Sequence, residues 1–69
     1  MMDKEMLKTM MLRRGDTQAI LANEMGLSVS RFSLKLNSKR GAEFTQQEIL
    51  FFVLRYNLSE VETSKIFFR

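Results

Sequence analysis

The chain has 69 residues, 11 Lys and Arg against 8 Asp and Glu, a net charge of +3, and neither Cys nor His. That length suffices for one small domain, residues 1–69, with a marginal core, since a domain near this size buries only roughly 60% of the surface its unfolded chain exposes. Disulfide frameworks and the common zinc sites are excluded, and no metal or cofactor is expected.

No apolar run approaches the ~18–20 residues of a membrane span. Asp3, Lys4, Glu5 and Lys8 interrupt the apolar pattern of residues 1–14 in a way that does not suit a signal peptide. The expectation is a soluble intracellular domain. There is no Pro, and Gly occurs only at 15, 26 and 41, where it reads as punctuation. The pattern predicts an all-α fold of five short helices.

Helix one is predicted over about 4–14. Met6, Leu7, Met10 and Met11 recur at helical spacing, Asp3 suits the N-cap, and Gly15 suits the position after the end. Helix two is predicted over 18–25, capped by Thr17 and ended by Gly26. Its inward set includes Ile20, Leu21, Glu24 and Met25, and Ala22 is small enough to let another helix cross closely. Helix three is predicted over 29–37, capped by Ser28, with Phe32 and Leu36 fixing its buried side and Val29 at the edge of it.

Helix four has the best-signalled start. Thr45 and Glu48 form a Thr-x-x-Glu capping box, and Phe44 and Ile49 stand at the hydrophobic-staple positions. It is predicted over 46–56, with Ile49, Phe52, Val53 and Tyr56 inward. Leu50, Phe51 and Leu54 fall outside that stripe, so the helix is apolar nearly all round. Helix five is predicted over 60–67 behind a second box, Ser59-x-x-Glu62. Phe67 and Phe68 at its end are expected to dock on the core or on another subunit. The expected dimer surface is Leu50, Phe51, Leu54, Phe67 and Phe68.

Between residues 25 and 42 lie Arg31, Lys35, Lys39 and Arg40 and no acidic residue. A local basic stretch in a nearly balanced chain points to an anionic partner, although a solvated helix face is the commoner meaning of such charges. The stretch overlaps residues 17–37, where the physics is specific. Two short helices that cross steeply through a tight turn need a small residue in the first, a Gly at the turn and apolar residues around it. Ala22, Gly26, Met25, Leu27 and Phe32 supply these.

This stretch resembles the helix-turn-helix of the phage Cro/repressor family, through Gln18, Ala22, Gly26, Ser28 and Asn37. Lys39-Arg40, Phe44-Thr45, the Tyr-Asn-Leu-Ser at 56–59 and the Ile-Phe-Phe at 66–68 are similar to the short Cro-like proteins of phages and prophages of Gram-positive bacteria. The resemblance covers most of the chain. It implies a lambda-repressor-like DNA-binding domain in the bacterial cytoplasm, with helices two and three as the helix-turn-helix. It further implies that Thr17 and Gln18 meet DNA, Gln18 on phosphate or bracing helix three. Ser28 caps helix three and meets phosphate. Val29, Ser30, Ser33 and Leu34 face base edges, and Asn37, Lys39 and Arg40 hold the backbone. Where the family often has Asn-Gly-Lys, this chain has Asn37-Ser38-Lys39, with Gly41-Ala42 beyond.

Geometry agrees in part. With Phe32 and Leu36 buried, about 100° per residue places Leu34 opposite the core, Ser30 and Asn37 on one flank and Arg31 on the other. Val29 is then either core or reader. Leu34 is either an ordinary surface Leu or a contact for a thymine methyl, and Arg31 reaches either guanine or phosphate. Two functions follow. One is a Cro-like repressor that binds an operator in double-stranded DNA as a homodimer. The other is a modulator or antirepressor of the same fold that grips a partner phage repressor through Val29 and Leu34. An enzyme is not expected, because Asp3, Glu48 and Glu62 already have capping roles and no Gly-rich phosphate loop exists.

Overall fold

The computed structural model describes residues 2–68. Among them are five α-helices and no strand: α1 (Lys4–Arg14), α2 (Gln18–Met25), α3 (Val29–Leu36), α4 (Gln46–Tyr56) and α5 (Glu60–Phe67), with a single 3-10 turn, Lys39–Gly41, between α3 and α4. No helix among the described residues is long and apolar enough to cross a membrane.

Each helix starts where a side chain can accept one of the orphan N–H groups of the first turn. Asp3, Thr17 and Ser28 accept from the N–H of Met6, Ile20 and Arg31, each at 3.1 Å. Both capping boxes close reciprocally: Thr45 with Glu48, and Ser59 with Glu62. Helix ends are handled as consistently. α2 stops because Gly26 turns left-handed at φ 73°, which lets the N–H of Leu27 return to the carbonyl of Ala22 at 2.8 Å. Asn57 does the same for α4 at φ 51°, and Leu58 N–H returns to Val53 at 3.0 Å. α3 is one residue shorter than its sequence pattern. Asn37 is its C-cap, with φ −94° and ψ 4°.

The core is built around four phenylalanines from four places in the chain. Phe44 sits 5.5 Å from Phe32, 5.1 Å from Phe52 and 6.3 Å from Phe67, centroid to centroid, each pair edge-on. Such pairs contribute about 0.5–1.5 kcal/mol beyond area burial. Leu7, Leu21, Leu36 and Ile66 are fully enclosed around them. Phe67 is therefore a core residue of its own chain, only 8% exposed, and leaves the expected dimer surface. Burial of an aromatic side chain outweighs the fraying of a terminal turn, and the N–H of Asp3 also ties α1 to the carbonyl of Ile66 at the end of α5.

α2 packs most extensively on α3. Its buried residues are Leu21 and Ala22, while Ile20 and Glu24 face outward, contrary to the inward set read from the pattern. In a helix of eight residues a phase error of one residue, about 100°, is enough to exchange one stripe for its neighbour. Glu24 has an electrostatic reason to lie outside: it meets Arg55 of α4.

Candidate functional site

The residues expected at the functional surface lie on the first turns of α2 and α3, on the exposed side of α3, and in the loop that follows. Ala22 is almost fully enclosed, consistent with its place where α2 and α3 pack together. The link of residues 26–28 is short because Gly26 ends one helix and Ser28 caps the next.

On α2, Thr17 is exposed and its hydroxyl oxygen accepts from Ile20 N–H, which leaves its O–H free to donate outward. Gln18 is half-buried. On α3, Val29, Ser30 and Arg31 are exposed. Val29 belongs to the surface, with half of it accessible, because the first turn of α3 projects past the packed core. Ser28 repeats the Thr17 arrangement at the head of α3. A helix N-terminus with free N–H groups and a hydroxyl favours an anion.

Two expected readers differ from their placement on the helical wheel. Leu34 is half-buried, although it does not join the apolar side chains that pack on the core. A helical side chain leans back over the preceding turn, so a wheel that places residues by angle alone overstates its exposure. Asn37 is also half-buried, and its Nδ2 donates to Ser33 O at 2.9 Å and to Ser33 Oγ at 3.3 Å. It closes the end of α3 with those bonds. Its carbonyl oxygen and the Ser33 hydroxyl proton are what remain to offer outward.

The basic stretch divides in two. Lys35 is buried and donates to both carboxylate oxygens of Glu48, at 2.7 and 2.9 Å. Its charge is spent inside the fold, so it leaves the basic surface. Burial pushes the Glu48 carboxyl up, but the Lys35 ammonium and the N–H of Thr45 outweigh it and hold the group below its ordinary value. Arg31, Lys39 and Arg40 are exposed and form no ion pair among the described residues. They are the free cations of the stretch.

The loop that carries two of them is strained. Ser38 and Arg40 are left-handed at φ 52° and 55°, as is Gly41 at 70°. For the two non-glycine residues this costs about 1–2 kcal/mol each. Ser38 thus holds the left-handed conformation that glycine adopts most easily, and the glycine itself lies three positions on.

One charged cluster escaped the sequence pattern. Asp16, between the end of α1 and the cap of α2, accepts from Arg55 Nε at 2.9 Å, from Arg55 Nη2 at 2.7 Å and from the Tyr56 hydroxyl at 2.7 Å. The Arg55 hydrogen bonds hold its carboxyl below the ordinary carboxylate range against the opposing effect of burial. Arg55 Nη1 goes on to Glu24 at 2.8 Å. The signal available was Arg55 itself, a lone charge inside the apolar run 49–56.

Of the expected dimer surface, Leu54 is 74%, Phe68 63% and Leu50 53% exposed. Phe51 is half-buried, with the Arg55 guanidinium 5.7 Å over its ring. No family model, curated protein or solved structure matches this chain.

Proposed function

We propose that the protein is a sequence-specific regulator that binds double-stranded DNA through a helix-turn-helix made of α2 and α3, with α3 as the recognition helix in the major groove. The observation that supports it best is a surface rather than a motif. α3 exposes Ser28, Ser30 and Arg31 at its start and leads at its other end into a loop whose exposed Lys39 and Arg40 form no ion pair among the described residues. Duplex DNA is the anionic partner whose groove admits a helix and whose phosphates flank it. In this reading Thr17, Gln18, Ser28, Lys39 and Arg40 hold phosphates. Val29, Ser30, Arg31 and Ser33 face base edges, and Leu34 and Asn37 contribute from the rim.

The resemblance to Cro-type proteins makes the regulator a repressor of a phage or prophage switch in the bacterial cytoplasm. It would bind as a homodimer across half-sites about 34–36 Å apart. The dimer surface is then Leu50, Phe51 and Leu54 of α4 together with Phe68.

Selection from a random-sequence duplex pool tests the proposal. The expected result is enrichment of a pseudo-palindrome that the protein binds in a strongly salt-dependent way. Absence of enrichment and of any low-salt binding would sink it. Leu54→Glu is expected to leave the protein folded, abolish its dimer and weaken binding to the selected duplex.

A second reading has one observation in its favour. Val29 is half-exposed at the head of α3, an apolar side chain where a purely phosphate-facing turn needs none. A protein of the same fold that grips a partner repressor would use Val29 and Leu34 for that contact. Co-elution with such a repressor, without affinity for any duplex, would favour this reading over the first.

A further inference from the structure

Arg55 touches α2 at both of its ends. Asp16 directly precedes the Thr17 cap, and Glu24 lies in the last turn, eight positions later in the chain. Leu21 and Ala22 anchor the middle of α2 in the core. Two contacts from one planar guanidinium, one before its first turn and one in its last, add a constraint on its direction. All three nitrogens of the fork are engaged: Nε and Nη2 go to Asp16, Nη1 goes to Glu24, and one face of the group lies over Phe51. Lys, a single point charge, cannot reproduce that pattern.

The Asp16 end is the firm anchor. Its side chain is only 6% exposed and accepts a third bond from Tyr56 of the same helix. The Glu24 end is exposed and screened by solvent. A mostly buried ion pair is weak evidence of stability, since its desolvation cost offsets much of its attraction, but it specifies geometry well. α2 carries α3 through the short link at 26–28, so the direction of α2 sets how the outer face of α3 is presented.

We propose that Arg55 is a positioning residue, which clamps α2 through Asp16 and Glu24 and thereby sets the angle at which α3 meets its target. This rests on the DNA-binding reading given above. The clamp itself touches no DNA.

The test compares the wild-type protein with D16N/R55M, which removes one negative and one positive charge and so keeps the net charge. Affinity is measured by anisotropy for the duplex selected by the wild-type protein and for a scrambled duplex of the same length. Thermal unfolding is measured alongside. The expected result is a protein that still unfolds cooperatively, unchanged binding to the scrambled duplex, and a selected-to-scrambled ratio lower by about tenfold, the size of an indirect positioning effect. Simple destabilisation would lower both affinities together. An unchanged ratio overturns the proposal. Should D16N/R55M not fold, R55K replaces it, with a ratio several-fold lower expected and an unchanged ratio again decisive. If the wild-type protein selects no duplex, the DNA reading fails by itself. Residual dipolar couplings then decide about the clamp: a changed or averaged orientation of α2 relative to α4 in the variant supports it, and identical couplings overturn it.

Discussion

Lys35 and Glu48 form a two-pronged ion pair across the α3–α4 junction, and the same Glu48 oxygen that meets Lys35 at 2.7 Å also accepts from Thr45 N–H at 2.9 Å. One carboxylate therefore closes the capping box of α4 and holds α3 against it. With side chains 11% and 15% exposed, the pair is mostly shielded from water. Replacing one partner leaves the other charge enclosed, so Lys35→Met is expected to destabilise by about 2 kcal/mol. Lys35→Met/Glu48→Gln is expected to cost less than the sum of its two single changes. Chemical denaturation of the four proteins gives the coupling, expected at about 1–3 kcal/mol. Additive costs would show that the two groups act independently.

The division of the basic stretch makes a separate prediction about salt. Each phosphate neutralised contributes about −0.9 to the slope of log affinity against log salt. Arg31, Lys39 and Arg40 are exposed and unpaired among the described residues, whereas Lys35 is occupied by Glu48. Lys39→Gln and Arg40→Gln are each expected to flatten the slope by about one phosphate equivalent. Lys35→Met is expected to leave the slope unaltered. A Lys35 variant that flattens the slope like the others would mean that its ammonium leaves Glu48 for DNA.

Gly26 offers a test of why the α2–α3 link is built as it is. A Cβ placed there meets nothing within 4 Å, so the glycine is not required for close packing. Its φ of 73° is the whole requirement. Gly26→Ala is therefore expected to cost about 1–2 kcal/mol, the price of a left-handed L-residue. Gly26→Asn is expected to cost less, since Asn tolerates this region and already holds it at Asn57. Equal costs for Ala and Asn would point to a steric origin instead.

Caps and turns were legible in the sequence because each is a local transaction between a side chain and the backbone a few residues away. Asp3, Thr17, Ser28, Thr45 and Ser59 all cap as the spacing predicts, and every helix starts where expected. What was not legible depends on residues distant in the chain. Lys35 reads as a surface cation until Glu48, thirteen positions on, is brought beside it. Asp16 and Arg55, thirty-nine positions apart, give no periodic signal at all. The pattern leaves Phe67 to dock either on the core or on another subunit, and only its packing on Phe44 and Phe52 shows that it is core. The helical angles of Leu34 and Asn37 carry no information about side-chain lean or about a C-cap bond to Ser33.

The Tyr56 hydroxyl reports on the Asp16 cluster without any ligand. It is the sole tyrosine of a chain that has no tryptophan, so tyrosinate absorbance reads this one group. Burial first, and then its hydrogen bond to the Asp16 carboxylate, push its ionisation well above the ordinary value of 10.0. A folded pKa above the unfolded one contributes stability that is complete below pH 10 and is lost as pH rises beyond it. Tyrosinate is therefore expected to appear only above pH 10, together with loss of helical circular dichroism. The acid side runs oppositely. Asp16 and Glu48 are held below their ordinary 3.8 and 4.5, so their contributions are present above those values and fade as pH falls through and below them. Tyr56→Phe removes one of three donors to Asp16 and is expected to cost about 1–2 kcal/mol at neutral pH and to remove the tyrosine-linked loss above pH 10. A wild-type midpoint near 10 with the helices intact would show that the hydroxyl is solvated rather than bound to Asp16, and would loosen the anchor on which the Arg55 clamp depends.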